Sequence, residues 1–441
     1  MANVFTTISA WFAPAPAIRR VPAQEIKQLY SLMRWRILAA TFFGYAVFYI
    51  VRNNLAPVSK EMGAALHYDK TMIGTILAST ALAYGVGKLV MGSFSDRSNP
   101  KKFMSFALLL TAACTFIFSG IENYYGHLLL WSINGFVQGG GWAPCGRSMG
   151  HWFSIRERGL VFAFWNISHN VGGAIAGVLA AYVAARLGWQ SAFYIPGILA
   201  VISAVILYLG LIDTPQSEGL PPIEEHKNDY PENRELHEAE LSVRDLYINH
   251  IIRNKCLWLF ALANFFVYIA RYAMLSWGPT YLKEVKGASL EAGGWSTAVI
   301  ELAGVPSTLL VGWLSDRVSG RRGMVSLLCM IPIIAAFGIM WKTPVGHINI
   351  DMACMAVIGF FVYPPVMLLG VAALDQSSKK AVGTAAGFVG LFGYLGNMAQ
   401  AQGIGYLSQH YGWDYAFISI LACVCCAIAC LAFTWNIRPK A

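Results

Sequence analysis

Tyr49-Ile50-Val51-Arg52 and Tyr268-Ile269-Ala270-Arg271 are one phrase written twice, 271 − 52 = 219 residues apart. Each copy sits inside a long apolar stretch. An arginine at the centre of a membrane helix costs about 2.5–3.5 kcal/mol on insertion scales. A chain that carries this cost at two matched places uses the two cations together. The simplest joint use is to hold an anion between two halves of the molecule.

Composition sets the class. Of 441 residues, 56% are hydrophobic and only 12% charged, and the mean hydropathy is +0.52. That profile belongs to a membrane protein. Apolar runs long enough to cross a bilayer as helices are centred near residues 45, 83, 111, 134, 172, 201, 268, 305, 331, 361, 394 and 424. The nine cysteines are scattered, with no metal-ligand spacing and no disulfide framework. No cofactor or metal is expected.

The net charge is +9, which raises nucleic acid as a partner. Its distribution argues against that. Basic residues gather in alternate loops: Arg19, Arg20, Arg34 and Arg36; Arg97, Lys101 and Lys102; Arg147, Arg156 and Arg158; Arg317, Arg321 and Arg322; Lys379 and Lys380; Arg438 and Lys440. No basic run exceeds a pair. The positive-inside rule then puts both termini and the central loop in the cytoplasm.

Residues 213–256 are polar and carry no apolar span. They read as a linker with a short helix near 240–252. The chain divides into a leader (1–33), a first bundle (34–212), the linker (213–256), a second bundle (257–436) and a tail (437–441). The leader lacks the cationic start, apolar core and cleavage site of a signal peptide.

The repeat extends beyond the opening phrase. Gly92-Ser93-Phe94-Ser95-Asp96-Arg97 returns as Gly312-Trp313-Leu314-Ser315-Asp316-Arg317, and Gly188-Trp189 opens the sixth apolar run as Gly412-Trp413 opens the twelfth. Two halves of like orientation imply a pseudo-two-fold axis along the membrane normal. The expected fold is all-α integral membrane, 12 transmembrane helices in two six-helix bundles. In the loop motif, Gly92 and Gly312 would let helix ends approach closely. Asp96 and Asp316, each followed by an arginine (Arg97 and Arg317), would meet the N-terminal dipole of an adjacent helix or pair with a loop cation.

Three further ionisable residues fall within spans. Lys88 reads either as a cation lining an aqueous cavity or as a partner of a helix carbonyl or Glu301. The glycines before it have the wrong spacing for a phosphate loop. Glu301 is the clearest acid within a span, with a role in gating and charge balance. His169 shares a helical face with Asn166 and Asn170, which favours a polar cavity over an isolated core histidine. Arg271 lies too deep to reach either surface. Arg52, Lys88 and Arg271 give +3 and Glu301 gives −1, so the sum is +2 with His169 neutral. A phosphate monoester carries about −1.5 to −2 at pH 7, and guanidinium forks match its oxygens bidentately.

On these residues the chain resembles the organophosphate:phosphate antiporter family of the major facilitator superfamily. The resemblance runs over nearly the whole chain. It is carried by Phe43 through Arg52, by Met91 through Pro100, by Gly141-Trp142-Ala143-Pro144-Cys145-Gly146-Arg147, and by Trp165-Asn166-Ile167-Ser168-His169-Asn170. The linker from Asp213 to Pro231, Pro279 through Lys286 and Gly390 through Gly396 carry it too. It implies phosphate-binding arginines at Arg52 and Arg271, a lysine at Lys88 and a histidine at His169. It further implies cavity aromatics at Tyr45, Tyr49, Tyr84, Trp142, Tyr268, Tyr363 and Tyr394, with Asn166 beside them. The nearest branch exchanges external glycerol-3-phosphate for internal inorganic phosphate by rocking its two bundles, as a monomer in the lipid bilayer and without covalent chemistry.

There are two departures. That branch has Lys where this chain has Asn53, and Asp where it has Ser276; if those two pair, both partners are gone together. Phosphoglycerate or hexose 6-phosphate therefore remain open as substrates. So does a membrane sensor of sugar phosphates, since the family contains such members.

Overall fold

A computed structural model describes residues 10–95, 97–229, 252–318, 320–376 and 382–438. Every long element in it is helical. The first half holds α1 (Ala23–Ile50), α2 (Leu55–Leu66), α3 (Lys70–Ser95), α4 (Pro100–Gly120), α5 (Tyr124–Gln138), α6 (Trp142–Trp152), α7 (Ile155–Leu187) and α8 (Ser191–Gly210). After a 3-10 turn at Pro215–Glu218 and the short α9 (Ile223–Lys227), the second half holds α10 (Lys255–Val285), α11 (Leu290–Arg317), α12 (Arg322–Lys342), α13 (Ile348–Asp375), α14 (Val382–His410) and α15 (Trp413–Ala432). Nine of the described helices are long and apolar enough to span a membrane. The other described helices of more than ten residues are α1, α2, α5, α6 and α14.

Helices dominate because hydrocarbon offers backbone amides no other partner. Polar caps start several of them. Asn99, Asn123, Asn254 and Ser289 accept backbone N–H groups at the first turns of α4, α5, α10 and α11. Ser154 and Glu157 close a capping box on α7. The repeated Gly-Trp phrase has a conformational reason: Gly188 and Gly412 both adopt left-handed φ, +85° and +91°, where a Cβ is disfavoured.

The interruption between α5 and α6 is Gly139-Gly140-Gly141. A Cβ on Gly139 would lie 2.3 Å from the backbone of Gly87, so α3 is packed directly on this bend. The interruption between α1 and α2 carries Arg52. Each half has its own apolar core, around Trp152, Trp165 and Trp131 in the first and Trp277, Phe337 and Phe417 in the second. The halves meet along α3 with α14 and α7 with α11.

Polar bonds between the halves are unevenly distributed. One set lies at the centre. The rest lies at the end opposite the termini: Ser59 to Thr280 at 2.7 Å, Lys283 to Glu61 at 2.6 Å, Lys70 to Glu284 at 3.0 Å and Arg186 to Glu291 at 3.0 Å. At the end that carries the termini, the described residues make no hydrogen bond between halves, and a vestibule opens there. That vestibule is bordered by Gly92, which has nothing within 4 Å of a Cβ position. Gly92 is therefore not a close-approach glycine in this conformation, contrary to the reading of its loop motif. Its counterpart Gly312 does pack, with a Cβ position 3.2 Å from Met367. Arg97 and Arg317 are exposed, and Arg317 lies over the Trp313 ring. Asp96 and the side chain of Asp316 lie outside the described residues.

The first part of the linker is folded against the N-terminal segment. Ile18 and Val21 donate to the carbonyls of Gln216 and Gly219, and Arg20 pairs with Glu225 at 2.6 Å. That hydrogen bond holds the Glu225 carboxyl below its ordinary value. The helix expected near 240–252 lies almost wholly outside the described residues. Helix α1 starts at Ala23, inside the segment read as a leader.

Candidate functional site

The turn between α1 and α2 places Arg52, and the middle of α10 places Arg271. Both line one central cavity, with Tyr49, Asn53, Thr80, Tyr84, Tyr272, Ser276, Thr297, Glu301, Tyr394 and Asn397 among its walls. The volume open to a water centre is about 70 Å³, several times the ~10–15 Å³ that one water needs. It suits a small anion better than a bulky drug.

Among the described residues, neither guanidinium has a carboxylate in ion-pair contact. Arg52 lies over the rings of Tyr49 and Tyr84, at 3.9 and 4.6 Å from their centroids. Arg271 lies over Tyr363 and Tyr272, at 4.4 and 5.0 Å. Cation–π contacts hold a guanidinium in place without spending its charge, and leave its N–H fork for a ligand. Arg271 is only 6% exposed and its Nε has no partner. Two other walls carry orphaned buried atoms: Thr297 Oγ1 and Glu301 Oε1. A buried polar atom without a partner costs about 1–3 kcal/mol, so three of them around one cavity mark a place built for a polar occupant.

Glu301 joins the halves. Asn170 of α7 donates to its Oε2 and to its backbone carbonyl, both at 3.0 Å. The Tyr363 hydroxyl donates to the same Oε2. Gly173, one turn past Asn170, leaves the room: a Cβ there would sit 2.7 Å from Glu301 Oε1. Glu301 therefore offsets part of the arginine charge from within a fixed network, and it is not a partner of Lys88.

The remaining expected residues divide. Tyr49, Tyr84 and Tyr394 line the cavity. Tyr363 backs it through Glu301 and Arg271. His169 is half-buried between the rings of Tyr49 and Tyr363, with Nδ1 donating to the Asn166 carbonyl; neither His169 nor Asn166 lines the cavity. Tyr268 packs edge-on against Tyr394, one layer back. Tyr45 stacks on Trp165 in the core of the first half. Lys88 and Trp142 are displaced toward the termini and line the vestibule, where the Lys88 ammonium lies 5.6 Å from the Trp142 ring and 5.9 Å from Tyr394.

Sequence reasoning missed Tyr272, Thr80, Thr297 and Asn397. Thr80 lies one turn before Tyr84 and Asn397 one turn beyond Tyr394, so helical spacing from the expected site residues was the available signal for these two. Asn53 and Ser276, noted as departures, both line the cavity.

The Major Facilitator Superfamily pattern matches residues 41–401. A glycerol-3-phosphate transporter of Bacillus subtilis is 41% identical over 98% of each chain. One of Haemophilus influenzae is 41% identical over 92% of each. Among solved structures, a bacterial homologue of the human lysosomal transporter Spinster, in an inward-facing and unoccupied conformation, superposes with a TM-score of 0.73 at 17% identity. It covers 91% of this chain and 96% of that one, and bears on the fold alone. With two arginines from its two halves facing one central cavity, this multi-pass membrane chain belongs to the Major Facilitator Superfamily.

Proposed function

We propose that the protein carries a phosphorylated metabolite across the bacterial inner membrane in exchange for inorganic phosphate, with glycerol-3-phosphate as the preferred organophosphate. The observation that carries this reading is the pair Arg52 and Arg271, one from each half, stacked on tyrosines with no carboxylate in ion-pair contact. Phosphate bridging them would cancel charge that is costly to enclose, so the halves would close around a loaded site more readily than an empty one. That makes exchange, not net flow, the favoured cycle. One chain supplies both halves of the cavity, so it acts as a monomer. Both termini face the cytoplasm, and the conformation with its vestibule at their end is inward-facing.

The cavity charge supports the substrate. With Lys88 in the vestibule, Arg52, Arg271 and Glu301 leave +1 on the walls, one short of the +2 that matches a phosphate dianion and further still from the about three charges of a phosphoglycerate. Asn53, Thr80, Ser276 and Asn397 are neutral hydrogen-bonding groups. They match hydroxyls on an uncharged tail and offer no cation to the extra carboxylate of a phosphoglycerate.

The test is uptake of labelled glycerol-3-phosphate by phosphate-loaded proteoliposomes, with 3-phosphoglycerate and glucose 6-phosphate as competitors. Uptake should need internal phosphate and should be lost in Arg52→Lys and Arg271→Lys, because a lysine cannot make the bidentate contact. A competitor that wins outright would overturn the substrate. No exchange with any of the three would overturn the transport reading.

A further inference from the structure

The vestibule has chemistry of its own. About 640 Å³ is open to a water centre, between α3, α6, the start of α7 and α14. Its titratable lining is Lys88, Arg147 and Arg158, with no acidic side chain among the described residues. Arg147 is spoken for: its guanidinium donates to the Ser98 carbonyl and pairs with Asp213 at 3.0 Å. Arg158 is not. It donates only to the backbone carbonyls of Gly150, at 2.8 Å, and Phe153, at 3.1 and 3.3 Å. Those bonds aim a half-buried guanidinium without cancelling its charge. Lys88 rests over two aromatic rings. Two uncompensated cations therefore face one water-filled space next to the central cavity, and Tyr394 lines both.

The wall between them is unusually bare. Gly92, Gly150, Gly387 and Gly390 line it, and a Cβ on any of them would meet nothing within 4 Å. Packing does not demand glycine at these four places in this conformation, so their lack of side chains keeps room for an occupant.

We infer that the vestibule contains a second anion site, for a phosphate or phosphomonoester dianion, anchored by Arg158 and flanked by Lys88. Two free cations match a dianion, and a low-dielectric funnel of one sign concentrates such ligands ahead of a deeper site. The vestibule site loads and unloads the central one from the side of the termini. This rests on reading the central cavity as a phosphate site.

The experiment is equilibrium binding of labelled inorganic phosphate to the detergent-solubilised full chain. The wild type should bind two phosphates per chain, and Arg158→Gln one. An Arg52→Gln/Arg271→Gln variant should keep the weaker site, and adding Arg158→Gln to it should lower the remaining affinity at least about tenfold. Arg158→Lys should stay within about threefold of wild type at that site, because Nε and one Nη of Arg158 already serve the carbonyls of Phe153 and Gly150, so this site uses its charge and not, as at Arg52 and Arg271, its fork. Monodisperse elution checks each variant for folding. One phosphate per chain in the wild type, or a second site untouched by Arg158→Gln, overturns the vestibule site alone. Loss in Arg158→Lys as complete as in Arg158→Gln also overturns it, since the bonds to Gly150 and Phe153 would then be the cause. A wild type that binds no phosphate overturns the central site with it.

Discussion

Gly173→Ala is the most discriminating single change in the central network. The added Cβ would lie 2.7 Å from Glu301 Oε1, 2.8 Å from Cδ and 3.0 Å from Cγ. A flexible carboxylate could normally swing away. Here it is fully buried, and its other oxygen is held by Asn170 and Tyr363. Moving it means loosening charge-assisted bonds or parting α7 from α11. Overpacking of this kind costs about 1–3 kcal/mol. Since Asn170 and Glu301 belong to different halves, the cost falls on the way the halves meet and biases the transport cycle. A 1–3 kcal/mol bias corresponds to roughly 5–150-fold in an equilibrium, and the exchange rate should fall within that range. Glu301→Asp draws the carboxylate back by one methylene. The double variant Gly173→Ala/Glu301→Asp should therefore be less impaired than the two single effects combined. The assay is phosphate:phosphate exchange in proteoliposomes, as a double-mutant cycle. Strict additivity, or a Gly173→Ala protein that exchanges like wild type, would refute the claim that this glycine exists to seat Glu301.

Asn53→Lys should raise the cavity charge from +1 to +2 and shift preference toward 3-phosphoglycerate over glycerol-3-phosphate by about tenfold, or ~1.4 kcal/mol, read from competition for exchange. Gly405→Ala should weaken closure at the end opposite the termini, because its Cβ would lie 2.6 Å from the Lys70 carbonyl; labelling of an engineered Thr280→Cys by an impermeant maleimide should speed up. Gly387→Leu should leave that closure intact and slow exchange at least about tenfold by blocking the opposite closure. Asp213→Asn should lower thermal stability in detergent, because it removes a 1%-exposed carboxylate that holds Arg147 at 3.0 Å and accepts from the Ala15 amide at 2.7 Å; breaking buried pairs costs up to about 3–5 kcal/mol. An unchanged melting profile would mean this pair is structurally idle.

What could be read from the sequence followed cost. Arg52 and Arg271 stand out because an intramembrane cation is expensive and because the repeat aligns them; the structure puts both on one cavity. Glu301 stands out for the same reason. The depth of Lys88 does not. It sits one turn past Tyr84 on α3, about 6 Å further along the axis, and that turn separates the cavity from the vestibule. Charge marked it as functional, but nothing in the local sequence says where along a span the cavity ends. Tyr45 lies one turn before Tyr49 and faces Trp165, because the helix path, not residue type, decides which ring meets the core. Thr297 gave no signal, and Asn397 only that of its spacing from Tyr394, because a neutral polar side chain costs little in a span and repeats no phrase.

The same glycine chemistry appears at both ends of the α3–α14 contact, in opposite conditions. At the closed end, a Cβ on Gly74 would strike the Ala401 carbonyl at 2.6 Å, and one on Gly405 would strike the Lys70 carbonyl at 2.6 Å. The α7–α11 contact is similar: a Cβ on Gly177 or on Gly294 would lie within 2.7 Å of the other's carbonyl oxygen. Bare backbone is what lets the halves seal there. At the vestibule end of the same pair, Gly92, Gly387 and Gly390 touch nothing. A rigid-body rocking that parts α3 from α14 at one end brings them together at the other. Glycines that are idle in the present conformation then take the place of those in contact. On the proposed exchange cycle, these glycines leave room at both ends because each end closes in turn. The cations between them set the condition, since closing around Arg52 and Arg271 without an anion would enclose charge that only tyrosine faces and a single carboxylate offset.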